Sequence, residues 1–137
     1  MSQFGTPPQV LSLTNPALVS ASPTSSSGGF GWGMLDYALF MVQATRAGGS
    51  MTAVKFSVWG SRTGQAGTWV QLPVYKASDT GKTLGADASV AVSSNSTAYD
   101  GIICDAAKQW PFLDVRGQAV TADAAANESC AAYRVPL

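Results

Sequence analysis

Residues 51–59 read Met51-Thr52-Ala53-Val54-Lys55-Phe56-Ser57-Val58-Trp59. Val54, Phe56 and Val58 fall on one side of an extended chain, and Lys55 and Ser57 on the other. That two-residue period belongs to a strand buried on one face. A loop, Gly60–Gly67, leads to a second such stretch, Thr68–Lys76. There Val70, Leu72 and Val74 share one face and Trp69, Gln71 and Tyr75 the other. Pro73 lies inside this stretch and has no N–H for a ladder, so the strand is expected at a sheet edge or at a bulge.

The same reading extends in both directions. Leu35–Thr45 is a mostly apolar strand that runs into a turn at Arg46-Ala47-Gly48-Gly49. After a polar turn over Asp79–Asp87, strands are expected at Ala88–Ser93, Ala98–Asp105, Gln109–Val115, Gln118–Ala122 and Cys130–Val135, with one helical turn at Ala122–Ala126. No window keeps helical periodicity beyond two turns. About eight short strands at such spacings predict an all-β fold, an antiparallel β-sandwich of jelly-roll type, with a barrel as the second choice.

The N-terminal third is different. The first charged residue is Asp36, and Pro7, Pro8, Pro16 and Pro23 interrupt what precedes it. Disordered tails usually combine low hydrophobicity with high net charge, yet Phe4, Val10, Leu11, Leu13, Leu18 and Val19 are scattered through this uncharged segment. Such a segment cannot order by its own contacts, because fixing its backbone costs more than those side chains return. It needs the globular domain, a neighbouring subunit or another protein to lie on. The run Gly28-Gly29-Phe30-Gly31-Trp32-Gly33 permits a sharp change of direction and offers two aromatic anchors. The expected organisation is an extended arm and joint over residues 1–33 and a β-sandwich domain over 34–137. Phe4, Val10, Leu11, Leu13, Leu18, Val19, Phe30 and Trp32 are then partner-interface residues, and the domain is expected to fold without the arm.

Composition narrows the function. Eight basic and eight acidic residues give zero formal charge, without runs, which argues against nucleic acid as a partner. Charged residues make up 12% of the chain, about half the share usual for a soluble domain. The surface is therefore expected to be covered by partners or solvated by neutral polar groups. No apolar run is long enough to span a bilayer, and no secretory signal is visible. With no histidine, the commonest general base and metal ligand are missing, and Ser-His-Asp or Cys-His catalysis is impossible. No catalytic, cofactor-binding or metal-binding residues are assigned.

Asp79-Thr80-Gly81 matches the triplet of aspartic proteases, but its polar surroundings read as a turn. Thr80-Gly81-Lys82-Thr83 resembles the end of a phosphate-binding loop, yet Lys76 stands where that motif needs glycine. Asp100, Asp105 and Asp114 could hold calcium only by meeting at one end of the sandwich, and no spacing motif supports it. Cys104 and Cys130 either pair across neighbouring strands or, as expected for a reducing compartment, stay buried thiols. Trp59, Trp69 and Tyr75 lie opposite the aliphatic face of their strands and form a possible exposed aromatic face. It would serve as a subunit interface or, alternatively, as a stacking platform for carbohydrate.

The uncharged Pro/Ser/Gly-rich N-terminal segment, the GGFGWG joint and the Ala/Ser/Thr/Gly-rich β-domain together resemble small structural proteins of tailed-bacteriophage virions. The likeness is nearest to capsid decoration, or cement, proteins. It implies a jelly-roll-like domain without catalysis, assembled in the bacterial cytoplasm and attached to the capsid surface. Its partners would be the major capsid protein or a similar lattice protein and further copies of itself, a trimer before a dimer. A tail or head-fibre component is the neighbouring alternative within the virion.

Overall fold

The computed structural model describes residues 8–36, 38–121 and 127–135. Ten strands form two antiparallel sheets: β1 (Gln9–Thr14), β2 (Phe30–Gly31), β3 (Ala38–Arg46), β4 (Ala53–Ser61), β5 (Val70–Leu72), β6 (Tyr75–Lys76), β7 (Ala88–Ala91), β8 (Ser96–Cys104), β9 (Phe112–Val120) and β10 (Glu128–Arg134). The first sheet has the order β1-β10-β3-β8-β6. The second has β2-β9-β4-β5, with β7 also paired to β4. The fold is an antiparallel β-sandwich. Four of its pairings, β1 with β10, β2 with β9, β3 with β8 and β4 with β5, nest one inside the next. The chain thus runs as one long hairpin that alternates between the sheets, the wrapping of a jelly roll, with β6 and β7 inserted.

The expected alternation holds in part. Val54, Phe56 and Val58 of β4 are fully buried and Lys55 is exposed, but Ser57, on the same face as Lys55, is buried and bonded to the Trp59 indole. From the facing sheet Phe40, Val42 and Ile102, all buried, complete the core. Pro73 marks a larger event than a bulge. Leu72 pairs with Val58 in the second sheet, while Tyr75 pairs with Ile103 in the first, so the expected single strand is two strands separated by a change of sheet.

Elsewhere, two expected strands are one. Gln109–Val115 and Gln118–Ala122 become the continuous β9, preceded by a short 3-10 turn at Asp105–Gln109. Gly117 lies inside this strand because the interior leaves no room there. A Cβ on it would come within 3.0 Å of Cys130 Sγ and 3.3 Å of Leu11 Cδ2. The helical turn expected at Ala122–Ala126 lies outside the described residues.

The main correction concerns the N-terminal segment. From Gln9 onward it is part of the sandwich rather than an arm beside it. β1 pairs with β10 along its length, Thr24 bridges to Gly117, and Phe30–Gly31 pairs with Phe112 and Leu113. Val10, Leu11, Leu13, Leu18 and Trp32 are buried in the chain's own core, so they are not anchors for a partner. Phe30 is partly buried, edge-on to Phe40 with ring centroids 6.1 Å apart. Val19 is half-buried at the end of the 3-10 turn Ala17–Val19. Phe4 lies outside the described residues. The boundary expected at residue 33 therefore falls inside one domain. Of the three supports that an uncharged segment could use, this one uses its own sheet.

Candidate interaction surfaces

The two outer faces of the sandwich differ sharply in charge. In the first sheet, β1, β3, β6, β8 and β10 carry five charged residues: Arg46, Lys76, Asp100, Glu128 and Arg134. Each stands in the same alternation as the core-facing residues of its strand. Arg46 follows Ala44, Asp100 precedes Ile102, Lys76 pairs with Ile102, and Glu128 and Arg134 flank Cys130 and Ala132. They leave the sheet at its ends and edges. Arg46 donates to Gly49 O, Asp100 accepts from Ser78 Oγ at 2.6 Å, and Arg134 lies 4.4 Å from the Trp32 ring. Glu128 is buried and accepts from Met51 N at 2.6 Å and from Asn15 Nδ2 at 2.9 Å.

The outward positions of these strands therefore carry no charge among the described residues. Leu39 sits opposite Ile103, Met41 lies between Tyr133 and Gly101, and Gln43 lies between Ala131 and Tyr99. Beyond them Thr45 Oγ1 and Thr97 Oγ1 bond at 3.0 Å. Tyr99 is 66% exposed and Met41 45%. Sequence reasoning missed this face because it needs the cross-strand register, which no single strand reveals.

The second sheet turns Lys55, Asp114 and Arg116 outward and pairs the last two. Asp114 and Arg116 of β9 lie two residues apart on one face, joined from Arg116 Nε to Asp114 Oδ2 at 2.9 Å. Asp114 is only 1% exposed and also accepts from Ser25 Oγ at 2.9 Å. The Arg116 guanidinium lies 4.4 Å from the Trp59 ring and 6.0 Å from the Trp69 ring, within cation–π range. Trp59 Nε1 donates to Ser57 Oγ at 2.9 Å. Trp69 covers Gly29, whose φ of +107° and closeness to the indole exclude a side chain. The Gly29 peptide is thereby fixed over the ring. Arg62 stacks on Trp110 in the same manner, 4.5 Å from its ring. Each tryptophan thus has an arginine partner, a pattern absent from the linear sequence.

The expected single aromatic face is therefore divided. Trp59 lies in β4 and Trp69 immediately before β5, both of the second sheet, whereas Tyr75 lies in the first, because of the crossing at Pro73. Trp59 and Trp69 are half-buried, and Trp59 has a guanidinium on its ring. Beside Trp69 an open depression of about 260 Å³ is lined by Gly29, Phe30, Gly64 and Phe112 among others.

The remaining candidates resolve as structure. Asp79 closes a turn, accepting from Thr83 N and Gly81 N at 3.0 Å each. Those bonds, that to Thr83 foremost, hold its carboxyl below the usual range. Asp100 and Asp114 lie in different sheets, and no three His, Cys, Asp or Glu among the described residues group as metal ligands. Cys104 and Cys130 are free and buried. They oppose Ala38 and Ala44 from opposite sides of β3. Six residues of strand, about 20 Å, separate those positions, far beyond the ~7 Å Cα limit of a disulfide. Burial pushes their thiols up to about 11 and about 12.

No protein-family description, curated protein or solved structure matched this chain when it was compared with each.

Proposed function

We propose that this chain is a non-enzymatic structural protein that binds into and stabilises a larger protein assembly. The assembly best suited to its sequence character is the capsid of a tailed phage, where it would act as a decoration protein on the major capsid protein or a similar lattice protein. The observation carrying this reading is the uncharged outer face of the first sheet. Five charged residues on its strands all avoid that face, while Met41 and Tyr99 stand out from it. A face of neutral side chains can be desolvated against a partner without burying an unpaired charge. Attachment would come from this face rather than from a free N-terminal arm.

Mass spectrometry of virus-like particles purified from the source that encodes this chain tests the proposal. It should be present at a copy number set by the capsid lattice, and its absence from particles would end this reading.

Carbohydrate binding is a second reading, favoured by one observation: the depression lined by Trp69, Phe30 and Phe112 together with glycines. Aromatic walls suit the apolar face of a sugar ring. Trp69→Ala should then abolish glycan-array signals from the intact protein, and an array without hits removes this alternative.

A further inference from the structure

We infer that the open edge of β8 is a docking slot for an extended segment of a partner protein, which adds a strand to the first sheet beside Ser96–Tyr99. The inference concerns the rim of that sheet rather than its outer face, and it holds whichever assembly the partner belongs to.

The strand registers define the slot. Val135 N donates to Leu39 O, so the odd-numbered residues of β3 bond to β10 and the even-numbered ones to β8. Their β8 partners are Ser96, Ala98, Asp100, Ile102 and Cys104. The backbone groups of Thr97, Tyr99, Gly101 and Ile103 therefore point the other way, to the outer edge. β6 occupies that edge at Ile102 and Ile103, and Ala77 N extends the contact to Gly101 O at 2.8 Å. There the ladder stops. Asp100 Oδ1 takes the Gly101 N–H at 2.7 Å, the same carboxylate accepts from Ser78 Oγ, and the chain turns away. The N–H and C=O groups of Thr97 and Tyr99 make no hydrogen bond among the described residues, and both residues are exposed.

This geometry selects the occupant. Donor and acceptor pairs on alternate residues, about 7 Å apart, match the repeat of an extended polypeptide. Sheet edges are ordinarily blunted by charge, proline or cover. At the opposite edge of this sheet Ser12 N is covered by Ser26 Oγ, whereas Ser96-Thr97-Ala98-Tyr99 carries neither charge nor proline. The β8 of a second copy does not fit. Setting its Thr97 opposite Tyr99 would place its Asn95 opposite Gly101, where Ala77 already sits. The slot suits a segment of about four residues that ends or turns aside at Ala77. The Tyr99 ring favours an aromatic or β-branched residue opposite it.

A display library of random short peptides selected on the immobilised full chain tests the inference. Recovered peptides should slow amide exchange at Thr97 and Tyr99 when they bind. Thr97→Pro removes an outward N–H and none of the bonds to β3. It should melt at the wild-type temperature and weaken peptide binding roughly tenfold. Thr97→Val keeps that N–H and should bind as the wild type does. Should Thr97→Pro fail to fold, exchange at the two amides in the wild-type complex decides alone.

A library without binders, or binders that leave both amides exchanging freely or tolerate Thr97→Pro, would overturn the inference. Absence of the chain from virus-like particles would overturn the proposed function and leave the strand slot standing.

Discussion

Removal of residues 1–29 is expected to unfold the protein. The deletion takes away β1, the partner strand of β10, and the buried side chains of Val10, Leu11, Leu13 and Leu18. At about 1.5–3 kcal/mol for each buried aliphatic side chain, those four alone account for about 6–12 kcal/mol. The whole stability of such a domain is about 5–15 kcal/mol. The deletion also uncovers Gly117 and Cys130, against which Leu11 and Leu13 pack.

Circular dichroism during heating should show no cooperative transition for the truncated chain, and its amide NMR spectrum should collapse. A milder variant grades the effect. Leu18 is 0% exposed, and Leu18→Ala should cost about 2–5 kcal/mol, lowering the melting temperature by on the order of 10 °C. A truncated chain melting cooperatively near the full-length temperature would refute the placement of this segment in the core.

Further expectations follow from individual groups. Arg116→Ala strands the 1%-exposed Asp114 carboxylate and should cost about 3–5 kcal/mol in urea unfolding; Asp114→Asn added to it should restore part of the loss. Cys104 and Cys130, at about 11 and about 12, stay protonated in the fold well above the thiol reference of 9.0. Their stabilising contribution is complete below that reference and lost as pH rises towards the folded values. A thiol reagent at mildly alkaline pH should therefore label the protein only at the rate of unfolding; immediate labelling would contradict their burial. Asp79 has the opposite sign, because its depressed pKa makes the 79–83 turn firm above 3.8 and loosens it as pH falls through the lower folded value. Amide shifts of Gly81 and Thr83 should report that titration, and shifts unchanged at low pH would contradict the turn bonds.

Some of this architecture was legible in the sequence, and the exceptions have physical causes. Alternation at Val54, Phe56 and Val58 signals a strand because its two faces meet different environments. The N-terminal strand hid behind prolines and a lack of charge. Its Leu11 and Leu13 also show period-two burial, but neither residue type nor spacing tells whether the sheet receiving them belongs to the same chain. The sequence reading broke one strand into two around Arg116-Gly117, because the glycine there answers a packing demand from Leu11 and Cys130, more than a hundred and about a dozen residues away in sequence. The arginine–tryptophan stacks depend on registers between strands, and so does the uncharged face. The half-burial of Trp59 and Trp69 was invisible for the same reason.

Oxidative footprinting of the intact assembly probes the claim that the first sheet's outer face is the contact surface. Met41 is 45% exposed in the isolated chain and carries a readily oxidised thioether. In the assembled state Met41 should become several-fold less reactive, with Tyr99 protected alongside it, while Trp59 and Trp69 on the opposite sheet keep their reactivity. Unchanged labelling of Met41 together with protection of Trp59 and Trp69 would move the contact to the other face and contradict the account.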